Sequence, residues 1–294
     1  MNVKQLIGLA AIVLGGMTSC SNILEEDGVS NVITKGETGT LQINLVADGS
    51  LNVTTKSEVD LTENYSSLLD NFKVTLTNTN NTELPEGTEL PYNKPYSDVK
   101  GKFYKLKEDT KCQLSANYGT MDKVFGWDCP IFQGSSAEIT VIANAPNNIE
   151  ASCTLQNSLV NINISDLTNN NNVTITSIDG ISESETFHIY DSNNTSGPDI
   201  SRNKLYVQAG KVAELVMTGK FTPEGGNGVD FTTPEVQLAS SGATTTTAKK
   251  RYDVTYTLNS DNGHLKIVVS IDGKVDTVDV PVIVDPYNST SSQE

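Results

Sequence analysis

The sequence predicts an all-β protein made of two tandem β-sandwich domains. Apolar residues recur at every second position in many short runs, which is typical of strands with one buried face. Turn dipeptides containing glycine separate several of these runs, and Thr, Val and Ile are abundant, as pleated sheets favour. No segment keeps the period of a long helix, and strands do not alternate with helices, so the pattern favours a sandwich over a parallel α/β sheet.

The first predicted strand is the run TLQINLV. Its apolar side chains Leu41, Ile43 and Leu45 share one face, while Gln42 and Asn44 occupy the other. The run NFKVTLTN shows the same alternation further along the chain. Between these two runs, the segment TENYSSLLDNF predicts at most one short turn of helix.

The second half of the chain opens with the run LVNINIS, where apolar residues from Val160 to Ile164 alternate with asparagines. The runs RYDVTYTL and HLKIVVSI alternate in the same way. Asn262-Gly263 and Asp272-Gly273 are strong hairpin signals, because type I′ turns need positive φ at both central positions. Together these features predict a three-stranded meander over residues 251–284.

Four segments organise the chain. Residues 1–19 resemble an export signal, with a lysine near the start and an apolar stretch too short to span a bilayer as a mature helix. Residues 20–38 are polar and without a period, so they predict a flexible tether. Two sandwich domains follow, 39–156 and 157–294, and both lengths are normal for such domains.

Cys20 is the predicted site of lipid attachment. The run MTSC is similar to a bacterial lipobox, in which the cysteine is linked to diacylglycerol; an ordinary signal followed by a chance cysteine is the alternative. Two or three acyl chains anchor a protein stably, since each buried CH₂ contributes about 0.8 kcal/mol. Membrane lipid is therefore the first expected partner. The acids Glu25, Glu26 and Asp27 resemble a surface-export signal or form a solvated linker, so we expect a lipoprotein of the outer membrane, exposed at the cell surface.

Charge argues against nucleic acid as a partner. The chain carries 20 basic and 36 acidic residues, for a formal charge of −16. A nucleic-acid groove needs clustered cations, yet the only arginines are Arg202 and Arg251.

No set of residues predicts catalysis. His188 and His264 belong to no spaced metal motif, and nucleophile, phosphate and dinucleotide motifs are missing from the sequence. We therefore expect no enzyme, no cofactor and no metal. Besides Cys20, the thiols of Cys112, Cys129 and Cys153 allow one disulfide with one thiol left over, or simply serve as small buried side chains.

The most unusual stretch is GWDCPIFQGSS, which holds the only tryptophan, Trp127. One interpretation makes Trp127 a stacking platform for a sugar. The other makes it a hydrophobic plug that closes one end of the first sandwich. Sparse aromatic residues favour the plug.

The first half of the body resembles a domain-of-unknown-function family of Bacteroidota lipoproteins, which is allied to the fimbrillin-like, or type V, pilus subunits. The most specific matching elements are Trp127, Asp128 and Pro130 with Gly134 after them, and the run SCTLQNSLVNI. The resemblance covers roughly residues 38–165, and the final strands of the chain match more weakly.

The resemblance implies two transthyretin-like sandwiches and assembly by strand exchange. In polymerising members a Lys- or Arg-specific protease removes the first strand, and a strand of the next subunit replaces it by β-augmentation. Here the removable strand would be Leu41–Val46. The cut would fall after Lys56, with Lys35 as second choice. An uncleaved, lipidated member would instead be an anchor or tip subunit.

Two functions therefore remain open from the sequence. The first is a surface lipoprotein of fimbrial or adhesive type, whose partners would be other pilin-like subunits or a host ligand. The alternative is a surface lipoprotein that captures polysaccharide through Trp127. A smaller prediction concerns Thr277, because the triplet Asp276-Thr277-Val278 is similar to the O-glycosylation signal of exported Bacteroidota proteins.

Overall fold

The structure is a computed structural model that describes residues 37–51, 63–166, 173–183, 185–194, 197, 200–222, 227–233, 235–239, 242–261, 264–271 and 274–276. Strands dominate this part of the chain, which confirms the all-β prediction. Their bounds, in chain order, are β1 Thr38–Asp48, β2 Lys73–Asn78, β3 Lys94–Pro95, β4 Phe103–Lys107, β5 Lys111–Tyr118, β6 Phe125–Trp127, β7 Phe132–Ser135, β8 Ile139–Thr140, β9 Pro146–Leu155, β10 Ser158–Asp166, β11 Val173–Ile181, β12 Thr186–Asp191, β13 Leu205–Val207, β14 Glu214–Phe221, β15 Val229–Thr232, β16 Val236–Gln237, β17 Arg251–Asp261, β18 His264–Ile271 and β19 Lys274–Asp276.

Helical structure is confined to two short pieces among the described residues. A 3₁₀ helix covers Ser66–Asn71, where the sequence predicts at most a turn of helix. A four-residue α-helix, α1 Tyr96–Val99, follows β3 directly and was not predicted. Pro95 precedes it with an extended backbone, and a proline suits a position just before the first helical turn because its missing N–H has no partner to lose there.

The first sheet has the order β3-β2-β5-β7-β9-β1-β4, with β8 paired to β5. Its strands alternate buried and exposed residues, as the period of two predicts. The inward residues of β1, β2, β5 and β9 form one apolar core together with Leu106, Phe132 and Tyr65. Phe132 packs edge-on against Tyr65, with ring centroids 4.8 Å apart.

Two further sheets enclose a second apolar core. One has the order β19-β18-β17-β10-β13-β6, and the other has the order β12-β11-β14-β15 with β16 paired to β14. Apolar residues from both sheets, including Tyr252, Val254 and Ile267 from one and Leu215 and Met217 from the other, meet in this core. The arrangement is a two-sheet sandwich, in agreement with the predicted fold class.

The predicted meander is present as far as the described residues reach. β17 pairs with β18 through Asp261 and His264, and β18 pairs with β19 through Ile271 and Lys274. Two residues therefore separate the partners at each hairpin, as the asparagine-glycine and aspartate-glycine signals require. Residues beyond Asp276 lie outside the described part of the chain.

One strand crosses the expected division of the chain. β6 falls within the range 39–156, yet it pairs with β13 and so completes the edge of the second sheet. Conversely, Leu159 and Tyr206 contribute to the first core. The domain limits 39–156 and 157–294 stay a prediction. Strand β6 and the side chains of Leu159 and Tyr206 cross the division between these two ranges.

Candidate functional site

The strand β1 is the first candidate site, because it contains the predicted removable segment Leu41–Val46. It lies between two neighbours of opposite direction. β9 runs parallel to it from Thr40 to Asp48, whereas β4 runs antiparallel to it only from Thr38 to Gln42. Residues 40 to 42 of β1 are therefore paired on both edges, and residues 43 to 48 are paired with β9 alone.

The inner face of β1 fills the first core. Leu41 is fully buried, and Ile43 and Leu45 are 1% and 6% exposed. Across the parallel pair, Ile43 lies opposite Ile149 and Leu45 lies opposite Ala151, both of which are also buried. Removal of β1 would open an apolar groove between β9 and β4 that needs large side chains at alternate positions.

The end of β1 is fastened to residues far along the chain. Gly49 accepts a 3.1 Å hydrogen bond from the backbone N–H of Glu63, so the two ends of the segment 50–62 lie side by side. A Cβ on Gly49 would lie 1.9 Å from the Glu63 carbonyl oxygen, which is why glycine is needed at this approach. Glu63 in turn forms an ion pair with Lys204 in the second half of the chain.

A second ion pair acts at the same place. Asp48, the last residue of β1, lies 2.6 Å from the Lys249 ammonium. Lys249, together with the N–H of Ser50, lowers the pKa of Asp48 to about 2. The carboxylate is therefore charged at neutral pH, and the ion pair connects the end of β1 to the segment before β17.

Four predicted site residues lie outside the described residues. These are the lipidation site Cys20, the candidate processing sites Lys35 and Lys56, and the candidate O-glycosylation site Thr277. Their roles stay predictions. The residues that flank the Lys56 segment, Leu51 and Glu63, are described, and they place that segment directly after β1.

Trp127 lies in a different place from the predicted plug. It ends β6, pairs with Leu205 of β13 and packs against the second core instead of closing the first sandwich. Its side chain is partly buried, so part of the ring stays accessible. Asp128 follows with a φ of 50° and accepts hydrogen bonds from the Lys204 N–H at 2.8 Å and the Asn203 amide at 2.6 Å, which fixes the turn after β6.

Trp127 lines a cleft of about 250 Å³ at this edge of the second sheet. Both arginines of the chain, Arg202 and Arg251, line the same cleft, and so do Lys204 and Glu63. The tryptophan and the arginines lie far apart in the sequence, which gives no reason to connect them. Their scarcity was the available signal, because the chain has only one tryptophan and two arginines.

The wall of the cleft holds its polar groups in place. Asp253 on β17 accepts a 2.8 Å hydrogen bond from Nε of Arg251 and a 2.9 Å bond from the amide of Asn161 on β10. Asn161 and Asp253 are direct partners in the parallel pair of these strands. The register of β10 and β17 therefore positions both donors.

The three cysteines of the body are free thiols in the structure. Cys112 and Cys153 are buried in the first core, and burial raises the pKa of each thiol to about 11. Cys129 is partly buried, and desolvation raises the pKa of its thiol as well. These residues act as small apolar side chains and are poor nucleophiles at neutral pH.

His188 has one partner and no catalytic geometry. Its Nδ1 lies 2.6 Å from Asp179, which also accepts a hydrogen bond from Ser177 at 3.1 Å. The histidine and the serine thus share the Asp179 carboxylate, each bonded to a different oxygen of it. The side chain of His264 lies outside the described residues.

The described residues offer neither a metal site nor a membrane-spanning helix. Within the described ranges, no three His, Cys, Asp or Glu side chains come together in a way that would hold a metal ion. Among the same residues, no helix has the length and apolar character needed to cross a bilayer.

Comparison with known families gives one match. The profile of a family described as a domain of unknown function, DUF4493, matches residues 37–286. A comparison with curated protein sequences gave no match.

Several solved structures are similar to this chain at low identity. The fimbrial anchor protein Mfa2 from Porphyromonas gingivalis is 9% identical, with 82% of this chain and 100% of that one covered and a TM-score of 0.35. A fimbrial assembly protein from Parabacteroides distasonis is 13% identical, with coverage of 82% and 98% and a TM-score of 0.37. A Bacteroides thetaiotaomicron protein, provisionally described as polysaccharide binding, is 11% identical with the same coverage and TM-score. At these low scores the similarity by itself decides nothing about the site.

Proposed function

The chain belongs to the DUF4493 family, as its sequence resemblance to a domain-of-unknown-function family led us to expect, and from this premise we propose that it is a cell-surface protein of fimbrial or adhesive type. In this proposal β1 is the replaceable strand. A cut after Lys56 releases it, and a strand of another subunit takes its place in the first sheet.

The observation that carries the proposal is that β1 is buried in the first core and is also the first described strand. The strand supplies three core side chains, Leu41, Ile43 and Leu45, yet it comes first among the described strands and is joined to the next element only through the segment 50–62. A single cut in that segment leaves β1 held by noncovalent contacts alone. A replacement strand with apolar residues at the same alternate positions would restore both the core and the main-chain hydrogen bonds.

The groove also fixes the direction of the replacement. β9 pairs with β1 in parallel over nine residue pairs, from Thr40 to Asp48, and β4 adds antiparallel pairs at one end. A donor that kept the register of Ile43 against Ile149 would place its own apolar residues inward. A slip of one residue would turn them to solvent, so register is strongly specified.

Limited proteolysis tests the proposal. The purified protein lacking residues 1–19 is treated with trypsin, cut sites are identified by mass spectrometry, and oligomers are followed by native electrophoresis. We expect a cut after Lys56 followed by a ladder of oligomers. A synthetic peptide with the sequence of Thr38–Asp48 should reoccupy the groove and suppress the ladder.

Two controls keep the test specific. The variant Lys56→Gln should resist this cut and stay monomeric under the same treatment. A competing peptide with Ile43→Asp should fail to suppress the ladder, because burying an unpaired carboxylate is costly. A protein that is cut after Lys56 and stays monomeric would contradict strand exchange.

The lipid at Cys20 belongs to the same proposal. If the segment 50–62 stays intact in cells, lipid on Cys20 makes the protein an anchor or tip subunit at the outer membrane. Fractionation of cells that express Cys20→Ala should then move the protein from the membrane fraction to the soluble fraction. A membrane-bound Cys20→Ala protein would contradict lipid anchoring.

Glycosylation of Thr277 is a separate proposal. An intact-mass measurement on the native protein should show added sugar, and Thr277→Val should remove it. A native mass equal to that of the processed polypeptide with its lipid would reject the modification.

A further inference from the structure

We propose that the cleft around Trp127 binds a sugar residue that carries a carboxylate, such as a hexuronic acid in an acidic polysaccharide. This inference goes beyond strand exchange, because the cleft lies at the edge of the second sheet and does not involve the face of β1. It rests on an oriented arginine in the cleft, on two polar groups held in its wall, and on the aromatic side chain beside them.

Two of the three cations in the cleft are already paired. Arg202, Lys204 and Arg251 line it. Lys204 forms an ion pair with Glu63, and Arg251 forms one with Asp253. Recognition of a ligand carboxylate therefore depends on the N–H groups that these ion pairs leave available, and Arg251 supplies them.

Arg251 is positioned to recognise a carboxylate. Asp253 accepts from its Nε at 2.8 Å, which holds the guanidinium plane while using one of its five N–H groups. Guanidinium groups bind carboxylates through paired N–H donors, and a guanidinium that is already oriented loses less conformational entropy on binding. Asp253 is therefore a positioning residue for Arg251.

Asn161 supplies neutral polar groups beside this cation. Its amide N–H donates to the same carboxylate of Asp253 at 2.9 Å, so the side chain is fixed in the cleft wall. Asn203 is fixed in a similar way by the carboxylate of Asp128, at 2.6 Å. Two oriented amides suit the hydroxyl groups of a sugar, which both donate and accept hydrogen bonds.

Trp127 supplies the apolar contact. Its ring is partly buried against the second core, which holds it in place, and it lines the cleft together with Ile162 and Ile200. The C–H face of a pyranose packs on such a ring. The volume of about 250 Å³ lies just below the roughly 300 Å³ at which pockets for drug-sized ligands begin. The cleft therefore has room for at least one sugar unit.

Intrinsic fluorescence provides a direct test, because Trp127 is the only tryptophan and its emission reports on the cleft alone. The purified protein is titrated with a galacturonic acid trisaccharide and, separately, with the methyl ester of the same trisaccharide, which lacks the charge. We expect the acid to change the emission with saturation and the ester to bind about tenfold more weakly or not at all, since charged hydrogen bonds exceed neutral ones. Binding of the acid should also weaken with added salt.

Variants locate the site. Arg251→Gln should weaken binding of the acid about tenfold or more, without changing the weak binding of the ester. Lys73→Gln is the matched control, because it removes one positive charge from a polar depression on the first sheet. Calorimetry with Trp127→Phe should show weaker binding, and thermal melts confirm that each variant is folded.

Three outcomes would overturn the inference. Equal binding of the acid and its ester would show that charge is not recognised. Equal binding of a short glutamate peptide would show that a carboxylate alone suffices and that sugar is not the ligand. No change in emission together with no heat of binding would show that the cleft is not a site for this class of ligand.

Discussion

The strands β1 and β10 occupy the same kind of position in their sheets. β1 pairs in parallel with β9 and antiparallel with β4, and β10 pairs in parallel with β17 and antiparallel with β13. Their sequences, LQINL and VNINI, also alternate alike. Each strand opens its half of the described body, so the two form a natural comparison.

The two strands differ in how deeply their apolar side chains are buried. In β1, the inward side chains Leu41, Ile43 and Leu45 all stay buried, with Leu45 6% exposed. In β10, burial fades along the strand: Val160 is 4% exposed, Ile162 is partly buried, and Ile164 is 42% exposed. β1 therefore contributes more to its core than β10 does, although their patterns in the sequence are alike.

The two strands also differ in their connections. β10 follows β9 after only Gln156 and Asn157. Asn157 is buried, donates to the carbonyl of Cys129 at 2.9 Å and accepts from the N–H of Ile131 at 3.1 Å, so this link is fixed within the fold. β1 has no such link to a preceding described strand. Under the proposed strand exchange, the strand that contributes most to its core is therefore also the one that is replaced.

The largest expected effect tests the difference in side-chain burial between β1 and β10. Ile43→Ala removes a fully packed side chain and should destabilise the protein by about 2–5 kcal/mol. The matched change Ile164→Ala, at an exposed position, should cost less than about 1 kcal/mol. Urea unfolding followed by circular dichroism measures both. Equal losses of stability would show that the two strands contribute equally to their cores.

A smaller effect tests the contact between the two halves. The hydroxyl groups of Tyr65 and Tyr206 form a buried 2.9 Å hydrogen bond, and burial raises the pKa of both, so both stay protonated. Tyr65→Phe leaves the Tyr206 hydroxyl unpaired and should cost about 1–3 kcal/mol. The double variant with Tyr206→Phe should cost less than the sum of the single changes, by about 1 kcal/mol. Additive thermal shifts would mean that the bond contributes nothing.

A gain in stability is expected from a change on β17, the parallel partner of β10. Tyr256 lies opposite Ile164 in the pair of β17 with β10, is fully buried, and its hydroxyl has no hydrogen-bond partner among the described residues. In the pair of β1 with β9, the equivalent position, opposite Leu45, is Ala151. Tyr256→Phe should stabilise the protein by about 1 kcal/mol, because it removes an unsatisfied polar group. A lower melting temperature would contradict this.

The smallest effect concerns pH. The folded pKa of Asp48, about 2, lies below the roughly 3.9 of an unfolded aspartate, so its ion pair with Lys249 stabilises the folded state above about pH 4 and stops doing so as pH falls towards 2. The pair is about a third exposed and screened by solvent, so the contribution is below about 1 kcal/mol. Asp48→Asn should make the melting temperature less dependent on pH between about pH 2 and pH 4. Glu83→Gln, at a carboxylate that is 86% exposed and screened by solvent, should have a smaller effect.

Local pattern predicted much of the fold. The alternation of Leu41, Ile43 and Leu45 predicted β1 and its inward face, and the hairpin signals predicted the pairing of β17, β18 and β19. These features are fixed by neighbours in sequence, so a sequence reading recovers them. The parallel pairing of β1 with β9 was not predicted, because period-two alternation carries no information about partners a hundred residues away.

The candidate cleft shows the same boundary. Trp127 was expected to close the first sandwich, and the structure places it in the second sheet through the pairing of β6 with β13. Arg251 reaches the same cleft only because β10 lies between β13 and β17. Such a meeting depends on the order of strands in the sheet, which residue types at single positions do not encode.

The parallel pairing of β1 and β9 also has a mechanical consequence. A pull applied at Thr38 draws β1 backwards along its own axis, while the chain beyond Leu155 holds β9 from the opposite end. The hydrogen bonds of the pair, from Thr40 to Asp48, are then strained in shear and share the load, where an unzipping pull would break them one at a time. If residues 20–38 form the tether that the sequence predicts, this geometry resists tension in the direction in which the tether would apply it.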